Sequence, residues 1–277
     1  MTSAARRARR GTTLIELLAA LTALGVLGTA AVGLLGAMMR AVQLQRGAGG
    51  VAATVRAAGA ILPSELRGLA PADLVAIATD SISYRATRTL GVVCAASATE
   101  VRLRAGADWS FGWRAPSPGR DTLLLFADAD PSSEADDRWL AVPVLGVGPA
   151  TCGAASATAI ATRLDSAAAS ALVTGGPARI AEVMQVKLYQ TGGSWWLGAR
   201  SVSAGETVQP VVGPLAARGL AFVALDSAGA PTTVAASARS VSVSLRALSE
   251  PLHHGAVVTT LTDSVATVLR LRNAPWP

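Results

Sequence analysis

The hydrophobic pattern changes period part-way along the chain, and the change divides it in two. Residues 17–39 (LLAALTALGVLGTAAVGLLGAMM) carry no charge. At about 1.5 Å rise per residue, a helix of that length spans roughly 35 Å, enough to cross a hydrocarbon core of about 30 Å. Residues 41–69 continue a helical pattern. Val42, Val51, Val55, Ile61, Leu62, Leu66 and Leu69 supply its apolar positions among Arg46, Arg56 and Arg67. Gly47, Gly49 and Gly50 predict a bend or break in this helix. Pro63 predicts a second start, with PSELR as its first turn.

From Asp73 onward the period is two. Residues 81–88 (SISYRATR) alternate Ile82, Tyr84 and Ala86 with polar partners, and residues 100–104 (EVRLR) do the same. Residues 122–126 (TLLLF) read as a more buried strand, 128–137 (DADPSSEADD) as an acidic loop, and 139–147 as a strand again. Residues 153–171 are nearly all Ala, Ser and Thr, a composition that suits a mobile loop or a short helix equally. Strand patterns return at 181–190, 195–203, 220–225, 240–248 and 264–272. The TGG at 191–193 predicts a hairpin between the first two, and 227–229 a turn. Val241, Val243 and Leu245 fall on one face of their strand. One helical spine followed by many short antiparallel strands predicts an α+β fold, with the sheet packed on the second half of the helix.

The chain has 277 residues and a formal charge of +6. The part after the helix exceeds 200 residues, enough for one globular domain with its own core. Arg6, Arg7, Arg9 and Arg10 precede the apolar run, and Arg40 and Arg46 follow it, which favours an N-inside orientation. Of 24 Lys and Arg against 18 Asp and Glu, those four lie before Gly11, leaving 20 against 18 beyond it. The basicity is therefore largely a topology signal and predicts no nucleic-acid partner. Glu16 stands at the start of the run. A carboxylate at mid-bilayer costs about 2.5–3.5 kcal/mol, less near a helix start, where the dipole favours an anion. An ordinary cleaved signal peptide has an apolar region of about 7–15 residues and no acid. The alternatives are a plain signal anchor that tolerates Glu16, or a carboxylate with a partner cation.

A basic leader, then Gly11, then TTLIELL resembles the type IV prepilin signal of pilins and type II secretion pseudopilins. That resemblance implies cleavage after Gly11 by a prepilin peptidase, with Thr12 as the first mature residue. In the family the glutamate at the position of Glu16 pairs with the free amino terminus of a neighbouring subunit. Here the pair is Glu16 with the Thr12 amine. The family most often has Phe or Met where Thr12 stands, and it N-methylates that residue. Later phrases (QPVVGPLAARGLAFVALDSAG, ARSVSVSLRALS, TVLRLRN) look like PilW-type minor pilins and J-type minor pseudopilins. The resemblance implies a pilin-like α+β fold divided into a leader (1–11), a transmembrane and assembly helix (12–40), a helical continuation (41–70) and an exported, mainly β domain (71–277). It implies a single-pass inner-membrane protein with a cytoplasmic N-terminus and a periplasmic domain, later part of a filament, whose partners are the peptidase and other pilin or pseudopilin subunits. Small residues at Gly25/Thr29 and Gly33/Ala37 permit close helix packing.

Candidate chemistry elsewhere is sparse. In an oxidising compartment Cys94 and Cys152 are a disulfide candidate, the alternative being two buried thiols. Asp128, Asp130, Glu134, Asp136 and Asp137 supply the hard oxygens that calcium takes, without the spacing of an EF-hand loop, and make a weak candidate site; otherwise the segment is a solvated loop. His253 and His254 are expected in a loop after Pro251. No nucleophile elbow, phosphate loop, zinc-protease motif or Cys-x-x-Cys is present, so no enzyme is expected and no cofactor beyond that calcium. Trp109, Trp113, Trp139, Trp195, Trp196 and Trp276 are expected mainly to pack the core or sheet, with a binding face as the alternative. A filament-tip binding module for adhesion, DNA uptake or substrate recruitment is the rival to a structural subunit.

Overall fold

The computed structural model describes residues 13–104, 111–112, 114–254 and 257–272. The fold is α+β: one long apolar N-terminal helix, then a large antiparallel sheet domain. Helix α1 (Leu14–Leu66) runs unbroken for 53 residues. It has no break at Gly47–Gly50 and no new start at Pro63, contrary to the sequence expectation. Packing overrides propensity at both places. Gly47 lies against Leu252 and Leu261, so close that an added Cβ would stand 3.3 Å from both side chains. Pro63 lies in the last turn, one turn beyond the exposed Gly59 on the same face, while the neighbouring Leu62 and Leu66 are buried at 3% and 0% exposure.

The helix has two environments. Residues 14–46 are exposed throughout. Val51, Thr54, Ala58, Leu62 and Leu66 are buried, at the three- and four-residue spacing of one helix face. This half lies lengthwise on the sheet. Val51 and Thr54 border Leu248, and Ser64 and Arg67 border Leu269 and Arg270.

The strands are β1 (Leu74–Ala78), β2 (Ser81–Ala96), β3 (Glu100–Arg104), β4 (Phe111–Gly112), β5 (Thr122–Ala127), β6 (Arg138–Pro143), β7 (Gly146–Cys152), β8 (Ala155–Ala161), β9 (Pro177–Thr191), β10 (Ser194–Ser201), β11 (Gln209–Leu225), β12 (Ser240–Leu248), β13 (Leu252–His254), β14 (Val257–Thr259) and β15 (Thr262–Arg270). A short helix, α2 (Ser166–Ser170), precedes β9. Their order is β15-β12-β11-β10-β9-β2-β3-β8-β7, with β1 and β4 on β2, and β5 on β9 and β6. The segment expected as one strand at 139–147 is two, β6 and β7. The low-complexity stretch 153–171 is neither loop nor helix alone: it holds β8, which pairs with both β3 and β7, and then α2. At the β9–β10 hairpin Gly192 and Gly193 have φ of 58° and 78°, the two positive values that a two-residue turn between antiparallel strands requires.

β9 belongs to two layers. Residues 184–191 pair with β10 under α1, and residues 178–181 pair with β5 in a second lobe. Each lobe has its own core. Val51, Leu62 and Leu66 of α1 meet Ile82, Tyr84, Val186, Phe222, Val243 and Leu269 in the first. Val101, Leu103, Leu123, Leu125, Ile160 and Ile180 fill the second. In the second lobe β2 and β7 are three places apart in strand order, about 14 Å in a flat sheet at ~4.8 Å per strand. Cys94 of β2 and Cys152 of β7 nevertheless have their Cα atoms 6.0 Å apart and are disulfide-bonded. The four-strand leaf is therefore tightly rolled.

Candidate functional site

Gly11, Thr12 and the leader arginines lie outside the described residues, as do Trp109, Trp113 and Trp276. Thr13, the first described residue, is the N-cap of α1, and its hydroxyl accepts the Glu16 N–H at 3.3 Å. Glu16 Oε2 accepts in return the Thr13 N–H at 3.0 Å and hydroxyl at 3.2 Å. This is a capping box, which satisfies two otherwise orphan N–H groups at a helix start. Sequence reasoning missed it, although the Thr-x-x-Glu spacing is its signal. Both bonds fall on Oε2. Oε1 accepts none among the described residues, and Glu16 is exposed. The site thus has a fixed carboxylate with one open oxygen, in a box that begins one residue beyond Thr12.

The rest of the helix is long and apolar enough to cross a membrane, and none of its most apolar stretch is buried. Gly25, Gly28, Gly33 and Gly36 have no atom within 4 Å of where a Cβ would stand. They lie on open helix surface, available to a neighbouring helix.

The acidic segment closes on itself. Asp136 Oδ2 accepts the backbone N–H groups of Ala129 and Asp130, at 2.7 and 2.9 Å. Asp130 Oδ1 accepts the Ser132 N–H and hydroxyl at 3.1 and 2.7 Å, and these bonds pull its carboxyl below the ordinary range. Lost hydration, then the charges of Asp137, Asp136 and Asp130, push the Asp128 carboxyl up. Among the described residues no group of three or more His, Cys, Asp or Glu converges as a cation site. The five carboxylates considered for calcium are therefore not gathered into one. Turn formation uses two of them, and Glu134 and Asp137 face solvent. His253 and His254 are in the short strand β13, paired with β14, and not in a loop.

Sequence reasoning also missed the most buried charges. Glu182 of β9 is 2% exposed and meets three arginines. Arg88 holds Oε1, Arg120 holds Oε2, and Arg114 lies 3.2 Å from Oε2. The Ser201 hydroxyl adds a bond of 3.1 Å. Burial would raise this carboxyl. The bonds from Arg120, Arg88 and Ser201 override it and hold it at about 2. Arg114 also grips the buried Asp121 through both guanidinium ends, at 2.7 and 2.6 Å, and that bond raises the arginine further. On the opposite face of β9, Arg179 pairs with the buried Asp73 at 3.1 and 2.9 Å and lies 4.9 Å from the Trp139 ring centroid. Trp139 meets Phe126 edge to face, 5.9 Å apart. The Glu182 cluster lies where the inner face of β9 passes from one core to the other, between Ile180 and Val186. Paired charges there join the lobes, and Arg114 also borders an open pocket of about 340 Å³ with Thr89, Arg104 and Ile180.

No family model, no curated protein and no solved structure matches this chain.

Proposed function

We propose that the protein is a minor pilin or pseudopilin, a structural subunit of a type IV pilus or type II secretion filament. A prepilin peptidase removes residues 1–11 on the cytoplasmic side of the inner membrane. The exposed half of α1 first anchors the chain in the bilayer, with the β domain in the periplasm. The same half then packs among its neighbours in the filament, where Glu16 receives the Thr12 amine of another subunit.

The observation that supports this reading most is the division of α1. One unbroken helix is exposed on all sides over residues 14–46, uncharged over 17–39, and buried along one face from Val51 onward. Exposed apolar surface on that scale needs lipid or protein around it, and the sheet domain does not supply it. The open Oε1 of Glu16 suits an ammonium partner without dismantling the helix cap.

Two substitutions test the reading. Gly11→Ala, expressed in a host with the peptidase, should accumulate as the longer precursor. If it migrates as the wild type does, the cleavage assignment is wrong. Glu16→Val should be cleaved normally and be absent from sheared filaments. Its normal incorporation would remove the pairing with Thr12.

A further inference from the structure

Three arginines stand together at the far end of α1. Arg67 caps the helix, and Arg270 and Arg272 lie at the end of β15 and just past it. With Ser64, Gly68 and Val268 they border an open groove of about 500 Å³. All three are exposed, and among the described residues none makes an ion pair or a side-chain hydrogen bond. One edge of β15 pairs with β12, and the other pairs with no described strand. Arginines on such an edge deter stray strand pairing, which accounts for Arg270. That reason does not reach Arg67, which belongs to the helix. Three unpaired guanidinium groups in one groove repel each other and focus a field that attracts anions.

The complementary charge is on the same chain. The segment between β5 and β6 presents Asp128, Asp130, Glu134, Asp136 and Asp137 and contains no basic residue. It belongs to the second lobe and is tied there by the Asp128 N–H, which donates to Ala171 O at 2.9 Å. None of its residues lines the arginine groove of its own copy.

We propose that the acidic loop of one copy docks into the Arg67–Arg270–Arg272 groove of a second copy. Glu134 and Asp137 make the contact, because Asp130 and Asp136 are engaged in holding the loop's shape. Two different patches meet. Where a single contact joins a pair, one copy keeps a free groove and the other a free loop, so such contacts propagate head to tail into rows. The contact requires neither cleavage at Gly11 nor a membrane.

The test is sedimentation of the full chain in detergent micelles at two salt concentrations. Exposed ion pairs are screened by salt, so the wild type should associate at about 0.05 M salt and separate at about 0.5 M. The triple variant Arg67→Glu/Arg270→Glu/Arg272→Glu should bind itself at least about tenfold more weakly. The double variant Glu134→Arg/Asp137→Arg should do the same. An equimolar mixture of the two variants should associate again, because each groove then meets a loop of opposite sign. Restoration in the mixture also shows that neither variant is merely misfolded. The proposal is overturned by a wild type that stays monomeric at low salt, or by association that survives reversal of the groove. It is equally overturned if groove reversal abolishes association and loop reversal does not, since the groove then serves a different acidic surface.

Discussion

Glu182 is buried and holds three partly exposed guanidinium groups around its carboxylate, and removing its charge leaves them facing one another. Breaking a buried pair by deleting one partner costs about 3–5 kcal/mol. Glu182→Gln should therefore lower the unfolding free energy of the detergent-solubilised protein by about that much at neutral pH, measured by urea titration. A difference within experimental error would mean that the arginines relax to water. The pH dependence follows from the carboxyl being held at about 2 against an ordinary 4.5. The folded state binds this proton less tightly than the unfolded chain. Its contribution is complete above about 4.5 and fades as pH falls toward 2. The gap between wild type and Glu182→Gln should narrow over that window, and a gap that widens would contradict the assignment. Little of this cluster is legible in the sequence. Arg88 and Arg120 stand 94 and 62 residues from Glu182, so no local spacing records the contact. A lone acid in the apolar strand around AEVMQV is the one available hint. Thr13 and Glu16 are the reverse case: a contact three residues apart is written in the sequence.

At the scale of elements, α1 makes a direct prediction. Leu66→Ala empties a fully buried position and should destabilise the domain by about 2–5 kcal/mol. Leu24→Ala, at a position 71% exposed, should leave the unfolding midpoint in detergent unchanged. Equal effects at the two sites would mean that the helix is not divided as described. The disulfide makes a second. It joins residues separated by 58 positions, and replacing both Cys94 and Cys152 by Ala should cost about 2–4 kcal/mol, read as a lower urea midpoint. An unchanged midpoint would mean that the apolar core alone holds the leaf rolled. Alternating strands are easy to read. β3 and β12 have the expected ends, because EVRLR and SVSVSLRAL each place apolar residues on one face. β8 is not, because Ala, Ser and Thr carry too little contrast between the faces. Its strand form comes from lying between β3 and β7, with Ile160 at 0% exposure. The glycines at 47–50 and Pro63 mislead for the complementary reason: local propensity predicts a stop that tertiary packing cancels.

At the scale of the whole molecule, the α+β layout can be read from the change of period, but the two lobes cannot. They depend on β9 changing partner from β5 to β10 along its length, a long-range choice that alternation within one strand does not encode. The lengthwise seating of α1 also governs how the protein responds to tension. A pull on the exposed half of the helix acts along the contact line between α1 and the sheet, loading Val51, Ala58, Leu62 and Leu66 together in shear. A crosswise helix would be peeled off one turn at a time. Here all four anchors must yield at once, so under traction the β domain travels with the helix as one rigid piece.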